Sequence, residues 1–295
     1  MEEKDIDSVV AAFREIGAKL GPMPGLKELR AAADKLYDAL EIPTGVTFQE
    51  EFSRPGLWTY GPAGAQNGIV MYLHGGGFAM HSPKQYKTLT AELCLQSRAD
   101  VFAVDYRRAP EAPYPAALDD AFAAYCWLLL TRPETPIAFA GDSAGGGLVL
   151  ALMLRCKREG LPMPRAAFVI SPWVDLTMGG RTIKSKGTVD PVVSADGLEV
   201  FASYYLAGHS ATDPLVSPLF GDFTDFPPLL IHVGSEEVLL DDAVRLAGKA
   251  GEARVEVKLE VWANMIHEWH MWHSRLIEAE LAIMSASTFL REHLE

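Results

Sequence analysis

The chain has 295 residues, of which 49% are hydrophobic and 22% charged, and its net charge is −13. That length supports one large core, or one core with an added subdomain. The acidic balance argues against a phosphate-backbone partner, which needs clustered Lys and Arg, and against an anionic membrane surface, so no nucleic acid and no membrane is expected as a partner.

The first residues, MEEKDIDSVVAAF, are acidic and lack the basic head and apolar run of a secretion signal. No apolar stretch is long enough to span a bilayer. Cys94, Cys126 and Cys156 are odd in number, have no paired spacing, and sit in apolar helical contexts. They read as reduced thiols, which places the chain in the cytoplasm. A catalytic cysteine is disfavoured, because none has a Gly-rich turn or a nearby histidine in sequence.

Apolar residues at Ile6, Val9, Val10, Phe13, Ile16 and Leu20 predict a helix over 5–20, stopped by Gly21-Pro22. A second helix is predicted over 26–40, ending before Pro43. Strands follow at 46–52 and 57–60 with no helix between them, so the sheet is expected to start antiparallel. Short strands then alternate with helices. The strands are 69–73, 101–104, 137–140, 166–170, 229–233 and 255–261. The helices are 83–97, 116–130, 144–158, 238–250 and 274–293. Alternation of this kind predicts a mainly parallel sheet of eight strands covered by helices on both faces. Unbroken apolar strands such as Ile69–Leu73 suit its buried centre.

His74-Gly75-Gly76-Gly77-Phe78 follows the strand at 69–73. Consecutive glycines let backbone N–H groups converge on one oxygen, as the tetrahedral oxyanion of acyl transfer requires. A flexible turn is the plainer reading. A phosphate loop would end in Gly-Lys-Ser/Thr, and none is present. Farther on, Gly141-Asp142-Ser143-Ala144-Gly145-Gly146 lies between the strand at 137–140 and a long apolar helix. This is G-x-S-x-G in the setting its chemistry needs, with the serine on a tight turn and a helix N-terminus pointing at the reacting centre. The competing reading is a simple turn with Ser143 as helix cap.

Nearly sixty residues separate the strands at 166–170 and 229–233. They hold an amphipathic helix near 196–206 and a polar stretch to Lys186. They leave the sheet at a strand's C-terminal end, where α/β folds place their sites, so they and the two N-terminal helices are expected to form a cap. The division is then 1–45 for N-terminal cap helices, 46–174 and 214–295 for the catalytic core, and 175–213 for the cap insertion. Tyr204, Tyr205 and Leu206 are the cap residues expected nearest the pocket. Past the strand at 229–233, four carboxylates stand where an acid partner belongs: Glu236, Glu237, Asp241 and Asp242.

The run Ile266-His267-Glu268-Trp269-His270-Met271-Trp272-His273 carries three of the eight histidines. His267, in the loop after the last strand, is placed best to act as base, since the order nucleophile, acid, histidine puts the base last. His270 and His273 read as surface or interface residues. The spacing is not H-E-x-x-H, so no metal is expected, and no cofactor motif is present.

Four segments resemble the hormone-sensitive-lipase-like family of bacterial and archaeal esterases, which has the α/β-hydrolase fold. They are His74–Phe78, Asp105-Tyr-Arg-Arg-Ala-Pro-Glu111 with Pro115–Asp120, Gly141–Gly146, and Asp213-Pro-Leu-Val-Ser-Pro-Leu219. The resemblance runs from about Val46 to the C-terminus. It implies Ser143 as nucleophile, His267 as base, and the N–H groups of Gly76, Gly77 and Ala144 as oxyanion donors. It implies a carboxylesterase acting on small-molecule esters of short to medium acyl length, and a homodimer formed through the last strand and helix. Matching Val238-Leu239 to the family's Pro-Leu pair puts Glu237 at the catalytic acid, with Asp241 one helical turn later as the alternative. In the family the stretch 105–111 supports the oxyanion loop. From the residues alone, Asp105, Arg107 and Glu111 are candidates to pair under His74. Asn264 replaces a family glycine three residues before the base and is expected to tilt that loop. Amide or formamide hydrolysis on the same machinery, and a non-catalytic ligand receptor on the same fold, are the rival functions. The receptor is expected to have lost a triad member, and here Ser143, His267 and several carboxylates remain.

Overall fold

Strands form where the sequence runs short and apolar. In the computed structural model, which describes residues 5–21, 24–62, 64 and 67–295, eight of them make one sheet. They are β1 (Thr47–Glu51), β2 (Gly56–Tyr60), β3 (Ile69–Leu73), β4 (Asp100–Val104), β5 (Ile137–Asp142), β6 (Ala167–Ile170), β7 (Leu229–Gly234) and β8 (Val257–Trp262), in spatial order β1-β2-β4-β3-β5-β6-β7-β8. Only β2 runs against its neighbours, as the missing helix after β1 led one to expect. All other pairings are parallel. Every residue of β3, β5, β6 and β7 is buried, which removes apolar side chains from water on both faces of the sheet.

The helices are α1 (Ile6–Leu20), α2 (Leu26–Asp38), α3 (Lys87–Ser97), α4 (Ala116–Thr131), α5 (Ser143–Glu159), α6 (Arg181–Ser185), α7 (Ala195–Leu206), α8 (Leu240–Glu252) and α9 (Ile277–Leu294). One face of the sheet packs under α4, α5 and α8, and α7 joins this layer through Leu198, Ala202 and Tyr205. The other face packs under α3 and α9, joined by Val9 of α1 and Tyr37 of α2.

Asp5 caps α1 by accepting from the Ser8 N–H at 2.7 Å, and Gly21, at φ 78°, closes it. Pro22, the other half of the expected stop, lies outside the described residues, as do the first four residues of the acidic start. Helix α8 begins later than the apolar pattern indicates, because Glu237, Val238 and Leu239 are held in the turn that leaves β7. Helix α6 carries no amphipathic signal. It forms because the Arg181 N–H donates to Asp241 and the Thr182 hydroxyl donates to the Val238 carbonyl, both across the chain. Among the described residues, no helix is long and apolar enough to cross a membrane.

Candidate active site

The first strand-to-helix turn of interest joins β5 to α5. Ser143 sits at φ 53°, a conformation that costs a non-glycine residue energy and persists because its surroundings dictate it. The glycines around it are required by contact. A Cβ on Gly145 would stand 2.1 Å from the Leu73 carbonyl oxygen and 2.4 Å from that of His74. A Cβ on Gly141 would stand 2.7 Å from the Gly145 and Leu73 carbonyls. These neighbours are backbone and have no rotamer to escape into. Gly145→Ala is therefore expected to cost at least about 3 kcal/mol of stability, measured by urea denaturation, because β3 and α5 must separate.

The glycine loop after β3 lies beside this turn. Gly76 and Gly77 both have positive φ, at 99° and 61°, and the loop turns there, with the Ala79 and Met80 N–H groups donating to the Gly76 carbonyl. Ala144 is the second residue of α5, where an N–H has no partner inside the helix. Phe201 of α7 covers Gly77: a Cβ there would stand 2.7 Å from the Phe201 ring. One turn on, Tyr205 stacks on Phe78 at 3.8 Å between centroids. Tyr205 was among the residues expected near the pocket. Phe201 was not, although it shares a helix face with Tyr205. Tyr204 and Leu206 are only partly buried against the core.

Tyr106 supports the loop, donating to the His74 carbonyl at 2.6 Å and stacking on the His74 ring at 4.2 Å. Burial holds the His74 imidazole neutral, with a pKa near 3. The expected pairing of Asp105, Arg107 and Glu111 under His74 does not occur. Arg107 binds Asp120, Asp105 meets Arg108, and Glu111 takes both ends of the Arg30 guanidinium. These are exposed or half-exposed groups, for which water competes better than a buried ring does.

In the loop after β8, His267 is 2% exposed and its Nδ1 lies 2.8 Å from Glu237 Oε2. Glu237 is fully buried, and its other oxygen accepts from the Ser171 hydroxyl at 2.7 Å and the Gly234 N–H at 2.6 Å. Burial drives the Glu237 carboxyl up, against the pull of His267. Burial also disfavours the charged His267 ring. The hydrogen bonds and charges of Glu237 and Glu268 outweigh it and raise the ring well above its ordinary value. The ion-paired form is the one this geometry supports, because each Glu237 oxygen has a donor. The chain neighbours of Ser143 and His267, Asp142 and Glu268, face each other across Gly75.

Asp241 lies elsewhere. It accepts from the Arg181 N–H at 2.9 Å and pairs with the Arg181 and Arg245 side chains, holding α6 against α8. Asp242 accepts from the N–H groups of Val174 and Asp175, and burial pushes it up to about 7. Glu236 pairs with Lys186. Asn264 adopts φ 63°, so it takes the left-handed backbone that a glycine would supply. His270, expected at the surface or an interface, is instead fully buried, and its Nε2 lies 3.1 Å from His232 Nδ1 on β7. His273 is also largely buried, 2.7 Å from the Thr88 hydroxyl. Both fold inward because the segment after His267 closes onto α3 and β7.

Sequence reasoning missed Ser171, which donates to Glu237; Tyr37, which donates to Glu268; and Asp190. Asp190 reaches from the 175–213 segment to the Val238 N–H at 3.0 Å, next to Glu237 in the chain.

The α/β hydrolase fold family matches this chain over residues 70–271. An acetyl-hydrolase of Streptomyces hygroscopicus is 43% identical over 231 residues, covering 78% of this chain and 77% of the relative. The crystal structure of an esterase from the bacterial hormone-sensitive lipase family superposes with a TM-score of 0.94 at 34% identity over 100% of both chains. A hormone-sensitive lipase from a metagenome library gives 0.94 at 35% identity over 99% of both. The chain belongs to the α/β-hydrolase fold family and, within it, to the hormone-sensitive-lipase-like esterases.

Proposed function

We propose that this protein is a serine esterase for short to medium acyl esters, with Ser143, Glu237 and His267 as its triad. Carboxylic ester hydrolysis is what its family membership carries. The finer reading is supported chiefly by one observation: a fully buried Glu237 lies 2.8 Å from His267 Nδ1, while Glu268, next to His267, meets Asp142, next to Ser143, across Gly75.

In this reading Ser143 Oγ attacks the ester carbonyl while His267 Nε2 takes its proton. The carbonyl electrons move onto oxygen, and the N–H groups of Gly76, Gly77 and Ala144 hold that oxyanion. Collapse expels the alcohol, which leaves with the proton from His267, and an acyl-Ser143 remains. Water then repeats the sequence and releases the acid. Glu237 orients the imidazole and stabilises its charged form.

The segments 1–45 and 175–213 act as the cap in this proposal. Support comes from α7, whose Phe201 and Tyr205 lie on the oxyanion loop, and from α2, whose Arg30 donates to the carbonyls of Ala79 and Ala109. In this proposal Phe201, packed over Gly77, limits the length of the acyl chain. Phe201→Ala is expected to raise the hexanoate-to-acetate ratio of kcat/KM by about tenfold, read on a p-nitrophenyl ester series. An unchanged ratio would remove Phe201 from the acyl site.

A second copy is the proposed partner. The edge strand β8 exposes Val261, and the outer face of α9 exposes Ile277, Leu281 and Met284. Buried Cys94 and Cys156 support a reducing compartment such as the cytoplasm. Turnover of p-nitrophenyl butyrate against a p-nitroanilide tests the activity itself. Ester turnover without anilide turnover is expected. Faster anilide turnover would favour the amide hydrolase, and stoichiometric binding without turnover would favour the receptor.

A further inference from the structure

The catalytic machinery as read above makes no use of Glu268, a buried acid beside its base. Glu268 follows His267 directly, is 6% exposed, and sits at φ 55°. That left-handed backbone is unfavourable for a glutamate and turns its side chain inward, under the oxyanion loop. There Glu268 Oε2 accepts from the Tyr37 hydroxyl of α2 at 2.9 Å, and Oε1 lies 3.5 Å from His267 Nε2.

Asp142 faces it. Asp142 Oδ1 accepts from the Tyr72 hydroxyl at 2.6 Å and the Gly75 N–H at 3.0 Å, and Oδ2 accepts from the Tyr86 hydroxyl at 2.8 Å. The two carboxyls meet across Gly75, where a Cβ would stand 2.1 Å from Asp142 Oδ2 and 2.7 Å from Glu268 Oε1. Two buried carboxyls this close share a proton, because both cannot carry charge. Burial, and then the charge of Glu268, raises Asp142 well above the carboxylate range. Burial also opposes charge on Glu268, but His267 and the hydrogen bond from Asp142 lower it overall. Geometry points the same way: Glu268 Oε1 lies 3.5 Å from the His267 ring, which draws the negative charge to Glu268 and leaves the shared proton toward Asp142.

We propose that Glu268 is a positioning residue for the reaction, an anion held at the Nε2 edge of His267 by Tyr37 and Asp142. The inference rests on the serine-esterase reading. It gives His267 two anionic neighbours, Glu237 on Nδ1 and Glu268 on Nε2. The charged ring that forms as Ser143 attacks is then stabilised from both sides. The same charges hold the proton on the free enzyme, so His267 becomes a base only at higher pH. The rate falls as pH drops because only the neutral ring accepts the serine proton.

Other groups around the pair do not replace Glu268 in this role. Asp190, from the 175–213 segment, acts on His267 from the Glu237 side. Tyr72 and Tyr86 donate to Asp142 and stay neutral, their pKa values raised first by burial. His74 is neutral by burial, and burial and His232 likewise keep His270 neutral. His81 packs on the Tyr37 ring at 4.7 Å and lies 3.8 Å from Asp34, with Arg108 donating to its carbonyl.

The direct test is NMR titration of the His267 ring in Ser143→Ala protein, compared with the same protein carrying Glu268→Gln or Glu268→Asp. This readout needs no turnover, so its failure is distinguishable from failure of the esterase reading. Glu268→Gln keeps the shape and removes the charge. It is expected to lower the His267 midpoint by about one pH unit, whereas Glu268→Asp keeps most of the elevation. With Ser143 restored, the acid limb of kcat/KM moves down by the same amount. At a pH below both limbs, the Glu268→Gln rate relative to its own plateau is then roughly tenfold higher. If Glu268→Gln does not fold, Tyr37→Phe carries the same test with a smaller downward shift, because it frees the carboxylate to swing away from Nε2. An unchanged midpoint, or equal midpoints for Gln and Asp, overturns the proposal and leaves Glu268 as packing alone.

Discussion

Ser143→Ala is expected to lower kcat for p-nitrophenyl butyrate on the order of 10⁴- to 10⁶-fold, with KM little changed. The nucleophile takes part only in bond making and breaking, so its loss removes the chemical step and not ester binding. The fold should survive, because the change removes one oxygen and leaves the Ser143 carbonyl free to accept from the Trp173 N–H at 2.9 Å. Alanine also tolerates the left-handed backbone no worse than serine does. Equal melting curves with the activity gone are the expected pair of results. A loss below tenfold would mean that another group attacks the ester.

Glu237→Gln is expected to lower kcat by about 10³- to 10⁴-fold. A neutral amide cannot stabilise the imidazolium. It also brings an N–H₂ group into a site where the Ser171 hydroxyl, the Gly234 N–H and the His267 ring all point at acceptor oxygens. Asp241→Asn should behave differently. Its carboxylate binds Arg181 and Arg245 and not the imidazole, so the loss should appear as about 1 to 3 kcal/mol of stability with kcat near wild type. The two variants are compared at equal folded concentration. A crippled Asp241→Asn beside a mild Glu237→Gln would move the acid by one helical turn.

What could be read from the sequence divides along a physical line. The strands were legible because each is a short apolar run, and the alternation with helices fixed the parallel sheet. The Ser143 turn and the glycine loop were legible because close backbone approach admits only glycine, at Gly145 above all. The offset from β7 left four carboxylates open, and only the resemblance of Val238-Leu239 to the family's Pro-Leu pair singled out Glu237. Contacts between distant elements left no such trace. Tyr37 and Glu268 are separated by 231 positions, and neither is marked by periodicity or motif. Asp190 and Val238 are 48 apart, and the residues at 105–111 chose exposed partners that spacing alone does not rank. His270 went unread as a core residue because its place depends on His232, 38 positions earlier on β7.

The most direct measurement is covalent. A serine-reactive p-nitrophenyl phosphonate, incubated with the native protein and followed by peptide mass spectrometry, reports which hydroxyl attacks an acyl-like centre. Labelling requires the activated nucleophile, the His267 base and the oxyanion donors together, so a merely exposed serine does not react. The expected result is one equivalent of phosphonate on Ser143, with release of one equivalent of p-nitrophenol and parallel loss of esterase activity. Label on a different residue, or active protein that takes up no phosphonate, would contradict Ser143 as the nucleophile.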